Sequence, residues 1–258
     1  MRLVPKFFRR SEEERTGTMT VVEHLEELRR RLIICFIAVG LGSVVGWFVY
    51  PYFMDFIRQP FCDYVTLHPE VRPPAGCDLV ITGLIDPFIV KMKIVVYLGL
   101  AVALPVVLWQ VWAFVNPGLT EGERKYAIPF VASSTVLFFL GAAFAYWTLP
   151  RALNFLLGFA GAGITPILTA DRYVSFIVLV TLAFGLSFLF PVLLVFLELV
   201  GILSSRRLRS WRRYSILFIS IFAAVITPSS DPYTMLAMMI PMYVFYEAAI
   251  IIGRLMKK

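Results

Sequence analysis

Residues Tyr173–Leu203 read YVSFIVLVTLAFGLSFLFPVLLVFLELVGIL, an apolar run with Glu198 as its single charged residue. A helix that crosses a bilayer needs about 17–25 residues of this kind. Lipid offers no partner to a backbone N–H or C=O, so such a run satisfies its own polar groups as an α-helix. Comparable runs lie outward in both directions, at Leu32–Tyr50, Pro87–Val115, Ala127–Leu149, Tyr214–Ile226 and Met235–Ile252. They predict an all-α, polytopic integral membrane protein with six transmembrane helices. Composition agrees: 258 residues that are 59% hydrophobic and 16% charged, with a mean hydropathy of +0.81, carry more apolar surface than one soluble core can hide.

Basic residues orient the bundle. Residues 1–31, Leu119–Tyr126, Leu203–Arg213 and the tail after Ile252 fall on one side and hold 18 of the 24 Lys and Arg. By the positive-inside rule that side, with both termini, is cytoplasmic. The net charge of +7 therefore expresses topology, and no basic face of a soluble fold is left for a nucleic acid. Residues 1–18 read as a cytoplasmic tail, neither a signal nor cleaved, since the first apolar run begins only at Leu32. Residues 19–258 form the transmembrane domain. Its long outer loop, 51–86, contains the breakers Pro60, Pro69, Pro73, Pro74 and Gly76, and is expected to be an ordered cap with short helical pieces.

Cys62 and Cys77 share that loop on the oxidising side, whereas Cys35 lies in the first span. Either a disulfide joins the pair or two thiols stand apart there; spacing does not decide between them. A metal site lacks ligands, because His24 and His68 are the only imidazoles and stand on opposite sides. The same scarcity removes a Ser-His dyad or a zinc-protease motif, and no Gly-rich phosphate loop occurs. The chain is read as a non-enzyme without cofactor. A proton-coupled secondary solute transporter is the alternative, weakened by the absence of duplicated halves and by the placement of Glu198 and Glu247 near cytoplasmic helix ends. For those two acids a functional role and a merely structural one both stand. The fifth run, about 13 residues long, gives about 20 Å of helix against a hydrocarbon core of about 30 Å. Beside it the bilayer thins or water enters.

Two acidic clusters, Glu23/Glu26/Glu27 and Glu121/Glu123, sit at the edge of the membrane on the basic side. One reading is plain: acids favour a helix start, and Glu27 pairs with Arg31 one turn on. The other is a receptor for a cationic ligand, where lower dielectric strengthens a charge pair. Carboxylates suit guanidinium, which they grip bidentately, better than ammonium.

Several stretches together carry a resemblance: His24-Leu25-x-Glu27-Leu28-Arg29-x-Arg31-Leu32, Gln110-Val111-Trp112-Ala113-Phe114-x-x-Pro117-Gly118-Leu119 with Glu123-Arg124, the Phe138–Tyr146 segment, Thr227-Pro228…Asp231, and Ile240-Pro241-Met242-Tyr243…Glu247. In order and spacing, from about Val22 to Arg254, the chain resembles the TatC family, the multispanning receptor subunits of the twin-arginine protein translocase. The resemblance implies a concave, glove-like arrangement of six helices in the inner or plasma membrane of a prokaryote. It implies binding of folded precursor proteins through Arg-Arg signal peptides, with TatA- and TatB-type single-span subunits as partners and the proton-motive force as driver. Self-association and contact with membrane lipid complete the expected partners. By that likeness Glu27 and Glu123 hold the arginines, Arg29 orients the carboxylates and Gln110 lines the site. Lys93, Asp231 and Glu247 match further family positions without assigned roles. The chain departs from the family at Leu189, where many relatives carry an acid. Glu198, nine residues on, lies about 180° round and about 13 Å along an ideal helix and does not simply replace it.

Overall fold

The computed structural model describes residues 21–68, 77–115, 121–159, 167–227 and 231–255. The tail at 1–18, and the side chains of Val21, Glu121 and Glu123, lie outside the described residues. The elements are α1 (Val21–Leu67), α2 (Asp86–Val115), α3 (Glu121–Arg124), α4 (Ala127–Gly158), α5 (Ala170–Ser187), α6 (Phe190–Leu199), α7 (Ser205–Ser210), α8 (Arg212–Ile226) and α9 (Pro232–Leu255). No strand occurs among the described residues. Among the described residues five units are long and apolar enough to cross a membrane: α1, α2, α4, the α5–α6 pair and α9. The chain is thus an all-α, multi-pass membrane protein. α8, with 15 residues, spans about 22 Å.

α5 is the most enclosed element, packing against α2, α4 and α9. Val174, Ile177, Val180 and Phe184 from α5 meet Ala145 and Leu149 of α4 and Met238 and Met242 of α9 in one continuous core. α1 lies along α2 where small residues let the backbones approach. A Cβ on Gly42 would stand 2.5 Å from the Gly99 carbonyl, and one on Gly99 2.8 Å from that of Val39. The break between α5 and α6 falls just before Pro191, whose missing N–H cannot serve the Ser187 carbonyl. α8 packs on α9 and α7 and leaves Ile216, Leu217, Phe218, Ile221 and Val225 exposed, with Ile219 and Ala223 buried.

The largest departure from the sequence reading is in α1. The sequence reading ends the first span at Tyr50 and opens at Pro51 a loop of short pieces with Pro60 as a breaker, yet α1 runs unbroken through both prolines to Leu67. A proline inside a helix strands the carbonyl four residues before it. Pro60 strands that of Phe56, and the Tyr146 hydroxyl of α4 donates to it at 2.9 Å. The next carbonyl, of Ile57, accepts from the Tyr173 hydroxyl of α5 at 2.9 Å. Ile57, Phe61, Tyr64 and Val65 are buried beneath this extension. At Pro60 a neighbouring helix thus supplies what the proline removes, a repair common in lipid.

Past the extension, the chain between α1 and α2 pairs with the chain before α5. Val80 N–H donates to the Leu168 carbonyl at 3.1 Å, and Ala170 N–H to the Val80 carbonyl at 2.9 Å. Cys62 and Cys77 are joined through their sulfurs with Cα atoms 4.8 Å apart. Arg58 bridges Asp55 and Asp78, each at 3.1 Å. This is the cap end of the bundle. The start of α1, the end of α2, α7 and the end of α9 lie at the opposite, terminal end.

Candidate functional site at the terminal end of α1 and α2

α1 and α2 run antiparallel, so early residues of one meet late residues of the other. His24 stacks on Phe114, ring centroids 4.3 Å apart. Two turns further along α1, Arg31 Nη1 donates to Gln110 Oε1 at 3.2 Å. Between these contacts sits Glu27, half-buried. Its Oε1 accepts from Arg31 Nε at 3.0 Å and also from Arg31 Nη2. Its Oε2 is buried without a hydrogen bond, with His24 Nδ1 4.0 Å away. The carboxylate is therefore half-committed: one oxygen is fixed by the i+4 arginine and the other has acceptor capacity left over.

The arginine in contact with Glu27 is Arg31, not Arg29. Two residues from Arg31 is about 200° round a helix, so only one of the two reaches both Glu27 and α2. That residue is Arg31; Arg29 is exposed and has no bond to the Glu27 carboxylate. The i+4 spacing of Glu27 and Arg31 was the signal for it. Beneath the site Trp112, 3% exposed, packs against Phe130 and Phe196. Glu123 belongs to α3, the short helix between α2 and α4, and its side chain lies outside the described residues, as does that of Glu121.

The remaining polar residues singled out in the sequence do not join this site. Lys93 on α2 pairs with Asp171 and donates to Ser175 Oγ at 2.8 Å, both on α5. Asp231 caps α9: its carboxylate accepts from the Thr234 N–H at 2.8 Å and the Thr234 hydroxyl at 2.6 Å, with Pro232 in the first helical position. Glu247 pairs with Arg212 of α8 and accepts from the Tyr243 hydroxyl at 3.2 Å. Glu198, fully buried at the end of α6, lies against Gly253 of α9 and has no hydrogen-bond partner for either oxygen. Any Cβ at 253 would come within 2.4 Å of both. Among the described residues no cluster has the makings of a metal site.

Comparison with known proteins places this arrangement in a lineage. Residues 23–241 match the family of the Sec-independent protein translocase protein (TatC). The chain is 42% identical over 249 residues to a TatC protein of Frankia casuarinae, covering 95% of this chain and 68% of that one. It is 37% identical over 240 residues to that of Aquifex aeolicus, covering 92% and 95%. A crystal structure of the twin arginine translocase receptor TatC superposes with a TM-score of 0.73 at 36% identity, covering 91% of this chain and all of that one. The match takes in α1, α2 and the Glu27–Arg31–Gln110 contact residues, and on it the chain belongs to the TatC family of Sec-independent protein translocases.

Proposed function

We propose that this chain is the twin-arginine signal-peptide receptor and core subunit of a Tat translocon, which exports folded precursor proteins across a prokaryotic plasma membrane at the expense of the proton-motive force. Both termini face the cytoplasm in this reading, as the bias of basic residues indicates. All six apolar runs then cross the membrane, α8 as a short span. TatA- and TatB-type single-span subunits and further copies of the chain complete the assembly, and the chain itself performs no covalent chemistry.

The observation that carries the reading is the second oxygen of Glu27. A buried acceptor left unbonded costs about 1–3 kcal/mol, and here it belongs to a carboxylate at the membrane edge already oriented by Arg31 and Gln110. An incoming guanidinium removes that cost. Glu123, across the α2–α4 turn, takes the second arginine in this scheme. The carrier alternative gains nothing from the same residues, because Glu247 is paired with Arg212 and Glu198 is enclosed at a helix end.

Exposed ion pairs contribute only about 0–1 kcal/mol, but hydrogen bonds to partly desolvated charges reach about 1.5–3 kcal/mol. Glu27→Ala or Glu123→Ala is therefore expected to weaken binding of an Arg-Arg signal peptide about 10- to 100-fold. Glu26→Ala and Glu121→Ala have smaller effects, and a Lys-Lys peptide binds the unaltered protein weakly. Peptide affinity for detergent-solubilised protein measures all of these. Unchanged affinity in both Ala variants would remove the acidic pair as the recognition site.

A further inference from the structure

α7 is a six-residue helix, Ser205-Arg206-Arg207-Leu208-Arg209-Ser210, followed at once by Trp211, Arg212, Arg213 and Tyr214. No acid occurs between Glu198 and Asp231. Five arginines thus fall within eight residues, and among the described residues only Arg212 has a carboxylate, that of Glu247. Arg206, Arg207, Arg209 and Arg213 are exposed and unpaired with any acid among the described residues.

The helix holds a fixed orientation. Ser204 caps it by accepting the Arg207 N–H at 3.3 Å. Leu208 is buried, and its carbonyl accepts from the Tyr246 hydroxyl of α9 at 2.6 Å. With Ser205 and Leu208 turned into the protein, the three arginines of α7 are turned out of it. They are flanked by exposed apolar and aromatic groups: Ile202, Trp211 and Tyr214, the Arg213 guanidinium lying 5.8 Å from the Tyr214 ring centroid. Trp and Tyr favour the depth of the headgroups. A soluble acidic partner would need the arginines but not this apolar rim.

We propose that α7 and the start of α8 form a binding surface for anionic phospholipid headgroups of the cytoplasmic leaflet. Guanidinium is weakly hydrated and meets phosphate bidentately, and a polybasic juxtamembrane segment is drawn to an anionic surface. The headgroups fixed at this end set the depth of α8. Because α8 is shorter than the hydrocarbon core, the mismatch then falls at its other end, beside the turn into α9. The proposal rests on the reading that the terminal end is cytoplasmic.

The test titrates purified, detergent-solubilised full-length protein with phosphatidylglycerol or phosphatidylcholine and counts retained lipid by native mass spectrometry. The unaltered protein is expected to retain phosphatidylglycerol in preference, and to lose it with rising salt. Arg206→Gln, Arg207→Gln and Arg209→Gln together should weaken phosphatidylglycerol binding on the order of a hundredfold and leave phosphatidylcholine unchanged. Lysine at the same three positions should keep most of the preference, which separates lost charge from lost fold. The proposal is overturned if the glutamine variant retains phosphatidylglycerol as before, if both lipids are lost equally, or if inorganic phosphate displaces the lipid. Signal-peptide affinity of the same variant is a separate readout: if lipid preference proves absent while peptide binding persists, the receptor reading stands without this surface.

Discussion

At the residue scale, Glu27 is held by an arginine of its own helix before any ligand arrives. Arg31 pairs with the carboxylate and ties it to Gln110, and in the proposed receptor site it is the residue that positions Glu27. Arg31→Ala is accordingly expected to weaken Arg-Arg peptide binding by several-fold, whereas Arg29→Ala, whose guanidinium reaches neither partner, changes it less than twofold. Arg31→Lys should restore little, because a single ammonium does not reproduce the two-nitrogen grip on Glu27 together with the third contact to Gln110. Peptide affinities of the three variants decide the matter, and an Arg29 effect larger than that of Arg31 would return the orienting role to Arg29. Glu198 presents the opposite case, a carboxylate enclosed with no partner at all. Gly253 makes room for it, since any side chain there meets both of its oxygens.

At the element scale, two helices break the rules by which their sequences are read. α1 carries two internal prolines and continues. If Tyr146 is bonded to the carbonyl that Pro60 strands, the two residues must be energetically coupled. Tyr146→Phe should cost about 1 kcal/mol of unfolding free energy, and less in a Pro60→Ala background, where residue 60 regains an N–H for Phe56. Tyr173→Phe should cost the same in both backgrounds. Unfolding in detergent followed by circular dichroism gives the cycle; equal costs for Tyr146→Phe in the two backgrounds would show that the hydroxyl does not answer the proline. α8 is short and packs mainly on α9. Single cysteines along Ile216–Ile226, in protein lacking Cys35, are expected to react with a membrane-impermeant thiol reagent at greater depth than those along Val131–Phe144. Identical depth profiles for α8 and α4 would mean that the bilayer is not deformed beside α8.

At the scale of the whole molecule, α1 packs on α2 while α5 packs against α2, α4 and α9, and the cap end is tied by contacts distant in sequence. The Val80–Thr169 bridge, the Tyr146 and Tyr173 hydroxyls and the Cys62–Cys77 bond all join the α1 extension and its loop to themselves or to α4 and α5. On a chain-entropy account, closing a loop of this length stabilises the protein by about 3 kcal/mol. Reduction should therefore lower the unfolding temperature in detergent, and Cys62→Ala with Cys77→Ala should do so equally and make the protein insensitive to reductant. Alkylation with mass spectrometry on freshly extracted protein should find neither thiol free. Two freely labelled thiols would sink this account of the cap.

Class and the positions of five of the six apolar runs were legible in the sequence because lipid leaves the backbone one economical solution. A run such as Tyr173–Leu203 must pair its own N–H and C=O groups, whatever surrounds it. The acidic edge at Glu27 and its i+4 partner Arg31 were legible for a similar reason, since helical spacing alone puts them together. Tertiary structure alone decided the rest. That Arg31 and not Arg29 faces Gln110 depends on how α1 is rotated against α2, which Gly42 and Gly99 set by close approach. That α1 survives Pro51 and Pro60 depends at Pro60 on a tyrosine 86 positions away in sequence arriving at one stranded carbonyl, Phe56 being 90 residues from Tyr146. A proline removes a donor locally, but its replacement comes from whichever helix packs there, and local sequence carries no record of that neighbour.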